Sequence, residues 1–130
     1  MVSREDVESF LIRAGLSYEE TEEGLWLVRL LQEDGPVLVV NFAPPVLVFT
    51  LKVMDTPADE RRSGQLFRLL LQYNASELSH AAYALEEDDV ILTESLGLED
   101  LDYSEFQATL DAFGLAVSQH VDALAAFRDA

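Results

Sequence analysis

Cysteine is absent from this chain of 130 residues. The protein therefore forms no disulfide bond, holds no metal through a thiolate and has no thiol nucleophile. Long apolar runs are also missing, because no stretch reaches the ~18 residues that a membrane-spanning helix requires. The N-terminal residues MVSREDVESF lack the basic start and the apolar segment of a signal peptide. From these absences and the length we expect one cytoplasmic domain, residues 1–130, with no membrane partner.

Positive charge is scarce as well. Eight basic residues stand against 25 acidic ones, which gives a formal net charge of -17, and Lys52 is the one lysine. Phosphate backbones repel such a surface, so direct nucleic-acid binding is not expected. The charge has two interpretations. It keeps the protein soluble, or it attracts a client protein with a basic surface.

Patterns typical of catalytic sites are missing too. His80 and His120 are isolated, whereas a metal site needs a cluster or an i,i+4 pair. The run EEDD at Glu86–Asp89 lacks the spacing of a calcium loop, and the scattered glycines form no phosphate-binding loop. A Ser–His–acid arrangement stays open, since such triads assemble from distant residues. We expect no enzyme, no metal and no cofactor, with structural or surface roles for both histidines.

Helix signals stand at three places. Ser3 and Asp6 have the capping-box spacing, and Gly15 can end that first helix. A middle helix starts in TPAD, with Thr56 as the cap and Pro at the first helical position, and reaches about Tyr73. The last helix begins near Asp102 and Glu105, which are spaced like a capping pair. Its apolar stripe comprises Phe106, Leu110, Phe113, Val117, Val121, Leu124 and Phe127.

Strand signals fill the remaining chain. Four strands with short links precede the middle helix, and HAAYALEEDDVILTESL, with its turn at Glu86–Asp89, predicts a hairpin after it. Residues 16–23 are predicted to form a short first strand or an extended edge. The next three strands are predicted at residues 24–32, 37–42 and 46–54, with a turn at 33–36 and a proline break at 43–45. Runs of strands separated by helices indicate an α+β fold, an antiparallel sheet with helices packed on one face. The order is α-β-β-β-(β)-α-β-β-α, with three or four strands before the middle helix.

Two elements are apolar on both sides. The stretch NFAPPVLVFTLKV, Asn41–Val53, does not alternate as a strand with one solvated face does. The back half of the middle helix, LFRLLLQY, is apolar most of the way round, which is typical of a helix buried on more than one side. One small domain cannot cover all these faces, so the pattern predicts an apolar interface with another chain.

Three arginines, Arg61, Arg62 and Arg68, lie on this middle helix. They either pair with the neighbouring Asp59 and Glu60, or form a positive island that meets acidic residues of a partner.

The chain resembles the YbjN-like family, bacterial proteins with the fold of type III secretion chaperones. The resemblance covers nearly the whole chain and is most evident in YNASELSHAAYALEEDDVILTESLGLEDLDYSEF, Tyr73–Phe106. There a helix ends in Asn after LLLQY, an apolar strand leads to an acidic turn, and LEDLD opens the last helix. The resemblance implies an acidic chaperone-like protein, commonly dimeric, that binds other proteins and carries no catalytic residues. It also implies a dimer contact on the middle helix and neighbouring strands, with the client held on outer sheet surfaces.

The predicted function is a non-enzymatic chaperone or regulatory adapter that acts as a homodimer and binds a client protein through exposed apolar sheet and helix surfaces. An acidic mimic of nucleic acid, occupying a basic DNA-binding surface, is the alternative. The predicted interface residues are Leu66, Phe67, Leu70, Leu71, Arg61, Arg62, Arg68, Val46 and Val48.

Overall fold

Local capping signals set the ends of the first and last helices. The computed structural model describes residues 1–31 and 34–129. In α1 (Arg4–Ala14), the Ser3 hydroxyl accepts the Asp6 amide, and the Asp6 carboxylate accepts the Ser3 amide at 2.9 Å. Gly15 ends α1 in the left-handed conformation, with φ 74°. Asp102 caps α3 (Tyr103–Ala125) and accepts the Glu105 amide at 2.8 Å.

The middle helix α2 (Glu60–Ser76) begins later than the sequence predicts. Asp59, not Thr56, is its cap, and the Asp59 carboxylate accepts the Arg61 amide. Contacts with distant residues explain the shift. The Thr56 amide donates to the Asp88 carbonyl at 2.8 Å, and the Ala58 amide donates to the Asp129 carboxylate at 3.0 Å.

Six strands form one antiparallel sheet, and the strand left uncertain by the sequence is present. The strands are β1 (Tyr18–Glu22), β2 (Leu25–Arg29), β3 (Val37–Ala43), β4 (Val46–Asp55), β5 (Ala82–Glu86) and β6 (Asp89–Gly97). Their order is β1-β2-β3-β4-β6-β5, so β1 and β5 are the edges. β2 is shorter than predicted because Leu31 leaves the strand with φ 70°. The predicted turn at 33–36 and the end of that strand lie partly outside the described residues.

One sheet face carries the core and all three helices. The Phe49 ring on β4 contacts Phe106 and Phe113 of α3, at centroid distances of 5.7 and 6.2 Å. Phe10 of α1 contacts the same Phe106 at 5.5 Å. Tyr83 of β5 contacts both α2 and α3. The buried strand residues on this face include Trp26, Val28, Leu38, Val40, Leu47, Phe49 and Leu51. The predicted fold class and the placement of the helices are therefore confirmed.

The opposite face, which we call the outer face, carries the alternate strand residues. Leu27, Val39 and Thr50 lie side by side across β2, β3 and β4, and each is half-buried. No helix among the described residues covers them. The apolar pattern of Asn41–Val53 therefore combines a buried core face with an apolar outer face. No helix in the described parts of the chain is long and apolar enough to span a membrane.

Candidate protein-binding surfaces

An apolar groove of about 300 Å³ runs between α2 and the edge strand β5. Its two most exposed side chains are Leu71 on α2, 68% exposed, and Leu85 on β5, 49% exposed. We call this surface the α2–β5 groove. It is lined by Phe67, Leu70, Leu71, Asn74, Tyr83, Ala84 and Leu85. Apolar side chains this exposed and this close together are typical of an interaction surface.

The two apolar stripes of α2 have different surroundings. Leu66 is fully buried and Leu70 is 5% exposed, so both belong to the core of their own chain. Phe67 is half-buried and Leu71 is exposed, so these two face the groove. The sequence placed all four at an interface because helical periodicity shows that stripes exist but not which one meets the sheet.

The side chain of Asn74 links α2 to β5 by two hydrogen bonds. Its side-chain amide donates to the Tyr83 carbonyl at 3.1 Å, and its side-chain oxygen accepts the Tyr83 backbone amide at 2.7 Å. An edge strand exposes backbone groups to other chains, and this double contact occupies the two groups of Tyr83. Asn74 therefore fixes the width of the groove at its base.

His120 lies beneath this contact and is 4% exposed. Its ring stacks on Tyr73 of α2, with a centroid distance of 3.9 Å and an interplanar angle of 6°. Its Nδ1 shares a hydrogen bond of 2.7 Å with the Tyr83 hydroxyl, while its buried Nε2 has no partner in the described chain. Burial lowers the pKa of His120, and Glu77 opposes this effect weakly. Burial raises the pKa of Tyr83, so its hydroxyl stays protonated.

The sequence did not identify this cluster. It assigned Val121 to the buried stripe of α3, whereas Val121 is 50% exposed and His120 takes the buried position. Spacing contained the signal, since His120 follows Phe113 by seven residues and precedes Leu124 by four. His80, in contrast, is exposed and has φ 60°.

The other predicted surface residues lie on the outer face. Val46 is opposite Ala43 and Gly97, and Val48 is opposite Asn41 and Ser95. Both valines are half-buried. They are not part of the α2–β5 groove, so the predicted site residues divide between two surfaces.

The three arginines of α2 have different roles. Arg62 forms an ion pair with Asp129 at 2.7 Å and donates to the Ala126 carbonyl at 3.1 Å, which ties the start of α2 to the end of α3. Arg61 and Arg68 are exposed and form no ion pair within the described residues. They leave local positive charge on the surface of α2.

Within residues 1–31 and 34–129, no group of three or more histidines or carboxylates converges as metal ligands would. The acidic run at Glu86–Asp89 forms the predicted hairpin turn, in which Glu87 has φ 54°. A second apolar groove, of about 380 Å³, lies between the end of α1 and α3 and includes the exposed Leu31 and Leu115.

Comparison with known proteins identifies the fold. Three of the solved structures that match this chain show the likeness. A chain of the heterodimeric ExoU–SpcU complex of the Pseudomonas aeruginosa type III secretion system is 18% identical, with a TM-score of 0.67, over 89% of this chain and 95% of that one. YbjN from E. coli is 12% identical, with a TM-score of 0.66, over 94% and 93% of the two chains. A chain of the Yersinia pestis secretion chaperone SycH in complex with a fragment of YscM2 is 21% identical, with a TM-score of 0.58, over 88% and 93%.

Sequence comparison gives the family. No curated protein matches the chain. Residues 2–130, however, match the CesT_Tir_1 family across almost the full length. The resemblance found in the sequence is thus confirmed: the chain belongs to the CesT_Tir_1 family of type III secretion chaperones and has the fold that YbjN shares.

Proposed function

We propose that this protein is a non-enzymatic chaperone or regulatory adapter that forms a homodimer through the α2–β5 groove and binds a client protein on its outer face. Membership of a chaperone family supports protein binding as the general activity. The observation that carries the more specific proposal is the groove itself, whose exposed residues Leu71 and Leu85 have no cover within the described chain.

Charge favours this surface for contact between two copies. Each copy carries a formal net charge of -17, so most approaches between copies are repulsive. The groove is lined by apolar side chains and Asn74, and the exposed cations Arg61 and Arg68 lie on the same helix. Repulsion between two copies is therefore reduced where their grooves meet, and a two-fold axis would place the same patch on both sides.

Gly64 supports the same assignment. It lies seven residues before Leu71, on the same face of α2, and a side-chain Cβ built there would meet nothing within 4 Å. Glycine in a helix interior costs about 0.5–1 kcal/mol relative to alanine. The described chain offers no internal reason for that cost, whereas a helix from a second copy could approach closely at this position.

The client is proposed to be a polypeptide with basic and apolar residues. The apolar rows of the outer face would hold its apolar side chains, and the acidic surface would attract its cations. The solved relatives support a polypeptide client, since SycH is described in complex with a fragment of YscM2 and SpcU in complex with ExoU.

Sedimentation equilibrium at tens of micromolar protein tests the dimer. We expect a dimer that buries on the order of 1,000 Å² or more. Leu71→Glu should raise its Kd by ~30-fold or more, equivalent to ~2 kcal/mol, if Leu71 is a central contact. Leu71→Glu should stay folded because the side chain is exposed, and the fluorescence of the single tryptophan, Trp26, reports this.

Two controls make the result specific. Gln72→Glu adds the same charge at the next, exposed position and should leave the dimer unchanged. Leu66→Glu should unfold the chain, because it buries an unpaired charge in the core. A wild-type protein that sediments as a monomer would overturn the proposed dimer.

A further inference from the structure

The arrangement of the α2–β5 groove depends on a buried cluster that can take up a proton. We propose that His120, Tyr73 and Tyr83 form an acid-sensitive latch: neutral His120 holds α2 and β5 together, and its protonation loosens this edge and weakens binding at the groove. The latch concerns regulation of the groove and therefore extends the proposed function.

The cluster joins three elements through one ring. His120 belongs to α3, its stacking partner Tyr73 to α2 and its hydrogen-bonding partner Tyr83 to β5. Tyr73 also lies near Tyr83, with 6.1 Å between ring centroids. Asn74, whose side chain holds the Tyr83 backbone, directly follows the stacked residue Tyr73 in α2. A shift of His120 is thus transmitted directly to both walls of the groove.

The geometry suits a neutral imidazole. One nitrogen, Nδ1, has a partner in the Tyr83 hydroxyl, and the other, Nε2, is buried with none among the described residues. A protonated ring carries two N–H donors, so its second donor would be left without an acceptor. The cationic ring would also be buried, which disfavours the charged form.

The charged groups around the His120 ring do not offset the cost of burying its protonated form. Glu77, which directly follows α2, is the carboxylate that favours a charge on His120, and its effect is smaller than that of burial. The groups facing the ring from α2 and β5 are the phenols of Tyr73 and Tyr83. Asp122, on α3 itself, is exposed. The closed arrangement therefore opposes protonation, and by linkage protonation opposes the closed arrangement.

The two histidines give a matched pair for the experiment. His120→Phe keeps a flat ring against Tyr73 and removes the titrating nitrogens, while His120→Gln keeps a neutral polar group if the phenylalanine variant folds poorly. His80→Asn is the control, because His80 is exposed and asparagine tolerates its positive φ. All variants are compared in the Leu71→Glu background as well, at a protein concentration at which that variant sediments as a monomer.

Amide hydrogen exchange, corrected for the intrinsic effect of pH, measures the latch. Between about pH 7.5 and about pH 5.5, where an ordinary histidine gains its charge, we expect protection of α2 and β5 to fall several-fold in the wild type and in His80→Asn. Protection of β2, β3 and β4 should stay unchanged over the same pH range. His120→Phe and His120→Gln should lose this pH dependence. Equal pH dependence in the wild type and both His120 variants would overturn the latch.

Sedimentation over the same pH range separates the two proposals. A dimer that weakens at the lower pH in the wild type but not in His120→Phe supports both. If the protein is monomeric at every pH and protection of α2 and β5 still falls at the lower pH, the latch is supported and the dimer is wrong. If the protein is a dimer and α2 and β5 stay protected at both pH values, the dimer is supported and the latch is wrong.

Discussion

Asn74 on α2 and Tyr83 on β5 are joined by two hydrogen bonds, of 2.7 and 3.1 Å, between one side chain and one residue's backbone. The backbone amide and carbonyl of Tyr83, on an edge strand, are thus paired with a helix side chain instead of with another strand. The contact also brings the phenol of Tyr83 to His120, so the edge of the sheet and the interior of the helical layer depend on the same residue.

Asn74→Ala should destabilise the fold by about 1–3 kcal/mol, because it leaves partly buried backbone groups of Tyr83 without partners. Urea unfolding followed by Trp26 fluorescence measures this change. Gln72→Ala is the control, since Gln72 is exposed and makes no side-chain hydrogen bond in the described structure, and it should change stability by less than ~0.5 kcal/mol. Equal effects of the two substitutions would show that the Asn74 contact contributes little.

Local signals in the sequence were sufficient for much of this fold. Ser3, Gly15 and Asp102 cap their helices as predicted, because capping depends on residues only a few positions apart. Thr56 failed as a cap because Asp88 and Asp129, distant in sequence, bind the backbone around it. The position of β6 between β4 and β5 is likewise non-local and has no sequence signature.

The site was predictable only in part for the same reason. The apolar character of α2 predicted a surface, and Phe67, Leu70 and Leu71 from the predicted set line the groove. The residues that complete it, Asn74, Ala84 and Leu85, come from the end of α2 and from β5, and no short-range pattern connects them. The spacing of His120 from Phe113 and Leu124 places it on the buried face of α3, but a lone histidine carries no motif that names its partners Tyr73 and Tyr83.

Stability should decline with acid in two separate windows. The pKa of His120 is lowered by burial, so the unfolded chain binds its proton first, and stability falls as pH drops below the ordinary value of 6.5 and through the folded value. The pKa values of Asp6 and Asp129 are lowered by hydrogen bonds, first from the backbones of Ser3 and Ala58. Their contribution is present above the ordinary value of 3.8 and is lost below it.

Urea unfolding at a series of pH values resolves these windows. His120→Phe should abolish the first decline and leave the second. A free energy of unfolding of the wild type that is constant between about pH 7.5 and about pH 5.5 would contradict the predicted decline due to His120.

Two glycines should respond to alanine in opposite directions. Gly64→Ala should stabilise the monomer by about 0.5–1 kcal/mol, because glycine is unfavourable inside a helix and the added Cβ meets no atom within 4 Å. Gly15→Ala should destabilise by about 1–2 kcal/mol, because Gly15 has φ 74°. Urea unfolding of both variants in the Leu71→Glu background, at a concentration at which that variant sediments as a monomer, reports the stability of the monomer.

The same Gly64→Ala variant, measured without Leu71→Glu, examines the interface. If a second α2 approaches at Gly64, the stabilised monomer should form a weaker dimer. An unchanged Kd would show that the interface does not include this part of α2.

Neighbouring residues of β4 should differ sharply because they lie on opposite faces. Phe49 is fully buried between Phe106 and Phe113, so Phe49→Ala should cost about 3–5 kcal/mol. Val48 is half-buried on the outer face beside Asn41 and Ser95, so Val48→Thr should cost less than ~1 kcal/mol. Urea unfolding gives both values.

A large cost at Val48 would mean that the outer face is closed by the chain itself, and the proposed client surface would then be wrong. A small cost leaves an apolar row that contributes little to folding, and this row is where the client is proposed to bind. Titration with a synthetic peptide of alternating valine and lysine should then show weaker binding to Val48→Thr than to wild type, because the substitution removes apolar surface without changing the charge. Binding to both should weaken as salt rises, because screening reduces the attraction between the cationic peptide and the acidic surface. Equal binding to both proteins would place such a peptide elsewhere on that surface.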